Sequence, residues 1–403
     1  MKSKILRMLR NTDEFISGQS ICDTLNISRT AVWKYINQLK MEGYEIEAIS
    51  NKGYHIVQYP DIVTKEEIES QLVLKESETE NIIKKVVFYD EVDSTNNVAK
   101  QAAEDGEQSG TLFVTEHQTA GRGRRGKTWV SPAGSEIFMT LLLRPEINPA
   151  AAPMLTIITA MAVAYALNDI IKDISNNNAN DMTNHVVGDI SKNSIKDISN
   201  PIVEDASSNS DKNILNFIVE DTSKNGGKDI LNPIVKNISK NGVPVECFIK
   251  WPNDIVMGNH KICGILTEMS AEPDWTNYVV IGIGINVNTE QFDDEVNGIA
   301  TSIYRQTGVK VKRSTIIVHF IKHFSQMYTK FIETCDLSAF IEDYNTLLIN
   351  CGRQVQINEN NCLYTALAQG IDKFGRLIVE KEDGQKTEIM AGEVSVRGLY
   401  GYV

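Results

Sequence analysis

The chain is short of the residues that would assign its class at a glance. Its six cysteines in 403 residues are scattered, with no C-x-x-C pair and no metal-ligand spacing. That argues against a disulfide scaffold or a zinc module and fits reduced thiols in a cytoplasm. Positive charge is scarce too: 40 Lys and Arg stand against 53 Asp and Glu, a formal net charge of -13. This argues against a general nucleic-acid coat protein but leaves room for one small DNA-reading module. Residues 1–60 carry eight Lys/Arg against six Asp/Glu, so the acidity lies beyond them. The opening segment is charged and periodic, unlike a signal peptide. Long charge-free runs are rare. Ala150 through Asn168 is one, nearly long enough to span a bilayer, but it is rich in Ala and Thr, carries Pro153 near its start and lacks basic flanks. It is read as a buried core helix, with no membrane association. The length predicts two or three domains.

What is present begins with Gly121-Arg122-Gly123-Arg124-Arg125-Gly126. Glycines let backbone approach a ligand closely, and the guanidiniums between them neutralise carboxylate or phosphate oxygens. The letters spell G-x-G-x-x-G, but a dinucleotide fold needs a helix next. Lys127-Thr128-Trp129-Val130-Ser131-Pro132 follows instead, β-rich and ended by proline. The reading is therefore an anion-covering loop; on these residues alone a solvated basic turn stays open.

The amino-terminal stretch predicts three helices and a hairpin. A short helix covers residues 4–9, Ser17 caps a second carrying Ile21 and Leu25, and Ser28 caps a third with Val32, Ile36 and Leu39 at i, i+4, i+7. Strands near Tyr44–Ile49 and Gly53–Val57 meet at Asn51-Lys52-Gly53, a hairpin turn. This reads as a winged helix-turn-helix whose third helix is expected to read DNA through Ser28, Arg29, Thr30, Lys34 and Asn37; on the weak basic balance alone a small helical docking domain stays open. Thr64-Lys65-Glu66-Glu67 is a capping box that starts a connecting helix through Leu74.

Further motifs follow. Val87-Phe88-Tyr89 reads as a strand leading into Asp93-Ser94-Thr95-Asn96, where Ser94 or Thr95 can cap a helix and present hydroxyls and an amide to a polar ligand. Ile249-Lys250-Trp251-Pro252-Asn253-Asp254 places a lysine in an apolar strand, which is costly unless it meets an anion or snorkels to the surface. Gly282 and Gly284 alternate in Tyr278–Asn288, so both lie on one face of a strand, marking close approach of a ligand or of a bulky neighbour.

Taken in order, Asp93–Asn96, Gln118 with Gly121–Gly126, Lys250–Asp254, Gly282–Asn286 and Gly392-Glu393-Val394-Ser395-Val396-Arg397-Gly398 resemble the biotin protein ligases. The winged helix in front makes the chain similar to the bifunctional type, both ligase and biotin-operon repressor. The resemblance covers everything except residues near 172–244. It implies an α+β protein: winged helix over 1–60, linker helix over 61–81, a mixed α/β ligase domain of the class II synthetase kind over 82–349, and an SH3-like β-barrel over 350–403. It implies ATP and biotin as substrates with Mg²⁺, formation of biotinyl-5′-adenylate, and transfer to a lysine of the biotin carboxyl carrier protein. Arg124 and Lys250 would be catalytic. Ser94, Thr95, Asn96, Gln118, Arg122, Gly123, Arg124 and Lys250 would bind biotin, and Arg122, Arg124, Trp129 and Asn286 would bind ATP. A homodimer carrying adenylate would bind operator DNA. Glu393 and Arg397 match a charged pair of the family. A lipoate or octanoyl transferase shares the core fold but lacks the amino-terminal module and the Arg-rich loop. A biotin-sensing regulator with a dead ligase site is countered by Lys250 and Arg124.

One segment falls outside that resemblance. Sixteen-residue units begin at Asn180, Lys196, Lys212 and Lys228. Asn, Ser, Asp and Lys dominate, and Pro201 and Pro233 interrupt the Ile pairs, so residues 173–244 are expected to be a disordered insertion, with a repeat solenoid of short polar units as the alternative.

Overall fold

The computed structural model describes residues 1–72, 82–127, 129, 132–192, 246–359, 362–390 and 394–398. The amino-terminal module comprises α1 (Lys2–Arg10), α2 (Gly18–Leu25), α3 (Arg29–Met41), β1 (Glu45–Ile49) and β2 (Gly53–Gln58). Its caps act as expected: Ser17 accepts from the Ser20 amide and Ser28 from the Ala31 amide. Asn26 ends α2 in the left-handed region, with φ of 51°. Ile5, Leu6, Leu9, Ile21, Val32, Ile36 and Leu39 form the module's own core. The antiparallel wing packs on Ile16, where a Cβ at Gly53 would stand 1.9 Å from the Ile16 carbonyl oxygen, so only glycine fits.

Thr64 caps α4 (Lys65–Gln71), accepting from the Glu67 amide at 3.4 Å. The helix ends at Gln71, and Leu74, the expected terminus, lies outside the described residues.

The core is a seven-stranded sheet in the order β3-β4-β5-β9-β8-β7-β6. Its strands are β3 (Lys85–Val92), β4 (Thr111–Gln118), β5 (Glu136–Leu143), β6 (Cys247–Lys250), β7 (Asp254–Met257), β8 (His260–Glu272) and β9 (Trp275–Asn286). β3 and β4 are parallel, joined through α5 (Thr95–Glu104), and the remaining pairs are antiparallel. Strand alternation divides the faces. Ile137, Met139, Leu141, Ile281, Ile283 and Ile285 face α6 (Met154–Lys192) and α9 (Arg313–Thr334). Phe113, Leu142, Tyr278 and Val280 face α5. Each fully buried aliphatic side chain contributes about 1.5–3 kcal/mol.

The Ala-rich run is the core of α6. By length and composition Pro149–Asn176 could cross a membrane, yet 78% of its apolar window is buried inside the protein. The helix continues past Asp173, where the sequence reading opened its insertion; residues 193–245 of that insertion lie outside the described residues.

Short helices α7 (Asp294–Asn297), α8 (Ile303–Thr307) and α10 (Ile341–Leu347) complete the core. The carboxy-terminal SH3-like unit is an antiparallel five-stranded sheet ordered β13-β12-β11-β10-β14. Its strands are β10 (Gln354–Glu359), β11 (Cys362–Ile371), β12 (Leu377–Glu380), β13 (Lys386–Ile389) and β14 (Val394–Gly398). The Trp251 indole donates to the Gly375 carbonyl at 3.0 Å, tying this sheet to the core. Glu393 lies outside the described residues.

Two polar hubs join the DNA module to the core. The Glu67 carboxylate accepts from Arg10 at 2.8 Å, Tyr44 Oη at 2.5 Å, Gln71 at 2.8 Å and Ser314 at 3.1 Å. Burial, then the Glu67 charge, pushes the Tyr44 phenol well up, so it stays a donor. Arg313, 1% exposed at the start of α9, binds Asp61 Oδ2 at 3.2 Å and Glu116 Oε2 at 2.7 Å.

Candidate active site and DNA-reading face

An open cleft lies on the α5 side of the sheet, lined by residues of β3–α5, the Arg-rich loop, β8 and β9. Glycine makes the room. A Cβ at Gly282 would stand 2.1 Å from Asn96 Oδ1, and one at Gly284 would stand 2.9 Å from the Trp129 ring. Gly264 on β8 meets the same indole, at 2.7 Å. The alternation seen in the sequence thus admits Asn96 at one point and Trp129 at the other.

The polar end of the cleft is built where β3 gives way to α5. Ser94, Thr95 and Asn96 are all buried there. Ser94 is the N-cap residue of α5 but makes no side-chain cap bond. Gln118 on β4 meets the helix start instead, its Oε1 accepting from the Thr95 amide at 2.9 Å and from Thr95 Oγ1 at 3.2 Å. The Thr140 hydroxyl bridges Thr95 Oγ1 at 2.8 Å and Asn96 Oδ1 at 2.7 Å. Asn96 donates to Glu268 at 2.8 Å, and Lys100 reaches the same carboxylate at 2.9 Å. Burial works to raise the Glu268 carboxyl, but those hydrogen bonds and the Lys100 and Arg122 charges outweigh it and hold the group below the ordinary range.

The Arg-rich loop forms the other wall. Arg122, Gly123 and Arg124 all line the cleft. The loop turns through a short 3-10 segment, Arg124–Gly126, and no α-helix follows, consistent with rejecting the dinucleotide reading. Arg122 donates to Asn97 at 2.9 Å and Arg124 to Asn253 at 2.6 Å. Asn253 in turn donates to the Ile265 carbonyl at 3.0 Å, so Arg124 rests on a fixed amide. Lys261 lines the cleft beside them, 2.6 Å from Asp254 and 5.3 Å from the Trp129 ring centroid. Three cations thus border one cleft.

Two expected site residues, Lys250 and Asn286, are not among those lining this cleft. Lys250 is 6% exposed at the end of β6, paired across the hairpin with Asp254; it is not in the cleft wall. Asn286 is buried and donates to the Thr301 carbonyl at 3.0 Å, also off the wall. Thr140, Asn253, Lys261, Glu268 and Glu136 were not singled out as site residues in the sequence. Thr140 carried a signal, a lone hydroxyl in an otherwise apolar run. Glu136 is 2% exposed on β5. Burial pushes its carboxyl up to about 8, against hydrogen bonds from Thr289 and Trp129.

On α3, Ser28, Arg29, Thr30 and Lys34 are exposed and Asn37 is half-buried. Arg29 donates to Gln19 of α2 at 2.8 Å. Trp33, 61% exposed on the same helix, was not anticipated as part of this face.

Fold and cleft together define a class: a winged-helix module carried on a ligase core of the biotin and lipoate type. Residues 2–55 match the HTH domain family, residues 88–198 and 202–286 the Biotin/lipoate A/B protein ligase family, and residues 351–397 the Biotin protein ligase C terminal domain. The chain is 32% identical to the bifunctional ligase/repressor BirA of Bacillus spizizenii, over 93% of this chain and 91% of that protein. It is 24% identical to the Escherichia coli bifunctional ligase/repressor BirA, over 98% and 96% of the two chains. The chain belongs to the family of bifunctional biotin ligase/repressors. It shares its fold with the biotin protein ligase from Aquifex aeolicus solved with biotin and ATP, with a TM-score of 0.53 and 23% identity, covering 78% of this chain and 100% of that one.

Proposed function

We propose that the cleft binds biotin with its ureido ring at Ser94, Thr95, Asn96 and Gln118 and its carboxylate toward Arg122, Gly123 and Arg124. The observation that carries this is the continuous network from Gln118 through Thr95 and Thr140 to Asn96, facing the cationic loop across one cleft. A urea group both donates and accepts, and these side chains offer both. The apolar dithiolane of lipoate needs no such network, which favours biotin.

The carboxylate oxygen attacks the α-phosphate of ATP, forming biotinyl-5′-adenylate as pyrophosphate leaves. The amine of a carrier-protein lysine then attacks the acyl carbon, losing a proton and displacing AMP. Carboxylate and triphosphate repel, so fixed cations at Arg122, Arg124 and Lys261 lower the barrier electrostatically. Lys250 is assigned to the carboxylate side by its motif, and Trp129 and Asn286 to the nucleotide. Mg²⁺ enters with the triphosphate as part of the substrate, since Asp254 and Glu268 at the cleft already face Lys261 and Lys100. The winged helix reads operator DNA through Ser28, Arg29, Thr30, Lys34 and Asn37, and the adenylate-bound protein forms a homodimer there. The setting is cytoplasmic, in keeping with six unpaired thiols.

The test uses purified protein with biotin, ATP and Mg²⁺. Biotin-dependent pyrophosphate release and labelling of the carrier lysine are expected. Replacing Arg29 and Lys34 by Ala abolishes operator binding and leaves ligation near normal. Pyrophosphate release that depends on lipoate and ignores biotin overturns the reading.

A further inference from the structure

Asp169 on α6 and His319 and His323 on α9 lie outside the cleft and have no part in the chemistry above. His319 and His323 are four residues apart in one helix, so they stack on one face. Asp169 is placed by its neighbour. The Asn168 amide donates to the Cys247 carbonyl at 3.2 Å and accepts from the Cys247 amide at 2.8 Å, pinning α6 to the edge strand β6. Asp169 follows on the side that meets α9.

His323 Nε2 lies 2.8 Å and His319 Nδ1 3.2 Å from the same oxygen, Asp169 Oδ2. The three ligand atoms all fall within 4.8 Å of one another. The side chains are 22%, 31% and 35% exposed, so the group is reachable from solvent but held on one side by protein. Tyr165, one turn earlier on α6, lies against the His323 ring at 5.6 Å between centroids and fixes its plane. Asp343 on α10 lies near enough to act electrostatically on the Tyr165 hydroxyl, adding negative charge to this corner.

A hydrogen-bonded staple between two helices needs one histidine. Here two imidazoles from successive turns aim at a single carboxylate oxygen. In a tetrahedral zinc site with bonds of about 2.0–2.1 Å, neighbouring ligand atoms stand roughly 3.3 Å apart. The separations of 2.8 and 3.2 Å need only slight opening to admit an ion. Two imidazoles and one carboxylate suit zinc, cobalt or nickel and discriminate against magnesium and calcium, which prefer all-oxygen shells.

We propose that Asp169, His319 and His323 bind one divalent transition ion of the zinc class, cross-linking α6 to α9 where α6 leaves the core. The ion displaces the protons that the two ring nitrogens share with Asp169, and water completes its coordination from the exposed side. The cross-link stiffens the helix pair behind the sheet.

The test begins with full-length protein stripped of metal by a chelator and exchanged into metal-free buffer. Co²⁺ is titrated and followed by visible absorption, and Zn²⁺ by calorimetry. One ion per chain is expected, with a Co²⁺ d–d band and no thiolate charge-transfer band, which separates this site from the six cysteines. Zn²⁺ at a hundredfold excess over its dissociation constant raises the thermal transition by on the order of 5 °C. His323→Gln, His319→Gln and Asp169→Asn each weaken binding at least tenfold while biotin-dependent pyrophosphate release continues. Absence of the d–d band in the unaltered protein overturns the proposal, and so does a Zn²⁺ affinity indifferent to His319→Gln and His323→Gln. Should one variant fail to fold, the cobalt spectrum of the unaltered protein decides alone.

Discussion

Glu67, where the DNA module meets the core, and Glu136, behind the cleft, are both shut off from water, at 0% and 2% exposure. Their surroundings differ. Arg10, Tyr44, Gln71 and Ser314 converge on Glu67 from the module, the linker helix and α9. Glu136 meets a hydroxyl and an indole, and among the described residues no cation appears among the influences on its carboxyl. A buried charge is tolerable only when paired and hydrogen-bonded. The junction is therefore a compensated ionic lock, whereas behind the cleft burial favours the neutral form of a carboxyl that has no cation to pair with among the described residues.

The largest expected effect comes from breaking the lock. Glu67→Ala leaves Arg10 without its partner at a half-buried site and opens the Tyr44 and Ser314 hydrogen bonds. A loss of about 3–5 kcal/mol in chemical denaturation is expected. A loss below about 1 kcal/mol would mean the junction is no more than a surface ion pair.

The Glu136 carboxyl should respond in the opposite sense. The folded protein holds the Glu136 proton up to about 8, while the unfolded chain releases it in the ordinary carboxylate range. Between those limits the unfolded state binds fewer protons, so stability falls as pH rises. Glu136→Gln removes that dependence. At pH 8 the variant should be more stable by roughly 2–4 kcal/mol, and the difference should vanish near pH 4. A constant difference across the range would show that shape, not charge, is responsible.

The smallest expected change in stability comes from the loop. Arg124→Gly loses one hydrogen bond to Asn253 and should alter stability by no more than about 0.5 kcal/mol. Its functional effect is larger: retention of the adenylate should fall about tenfold, equivalent to ~1.4 kcal/mol. Bystander lysines would then be acylated by released adenylate. A variant that labels only the carrier protein at the unaltered rate would show that the loop is not a lid.

Much of this was legible along the chain because it rests on local chemistry. Ser17, Ser28 and Thr64 each cap the helix they were expected to cap, since an N-cap needs only its own next turn. The alternation of Gly282 and Gly284 marked a face of a strand, since side-chain period in a strand is local too. Ser94 holds the N-cap position expected of it but makes no side-chain cap bond, and it lines the cleft, where Gln118 from the neighbouring strand takes the Thr95 amide; that strand contact is not local. The partner that orients Asn286 was equally invisible in its motif, because the Thr301 carbonyl that takes one of its amide protons lies 15 residues further on. Lys261 gave no signal, because a lysine after a Gly-Asn turn is ordinary until Gly264, Trp129 and Asp254 gather around it.

By itself, the order of residues determined the three-part organisation, the winged helix with its reading helix, the buried Ala-rich helix and the family to which the chain belongs. Each depends on periodicity, caps and contiguous motifs, which act over a few residues. Only the tertiary structure decided which cations border the cleft, which buried carboxylate is paired, and that Asp169 meets His319 and His323. Those outcomes depend on side chains brought together across as many as 252 positions, as for Asp61 and Arg313. Burial and charge pairing between such partners are properties of the packed molecule and of no segment within it.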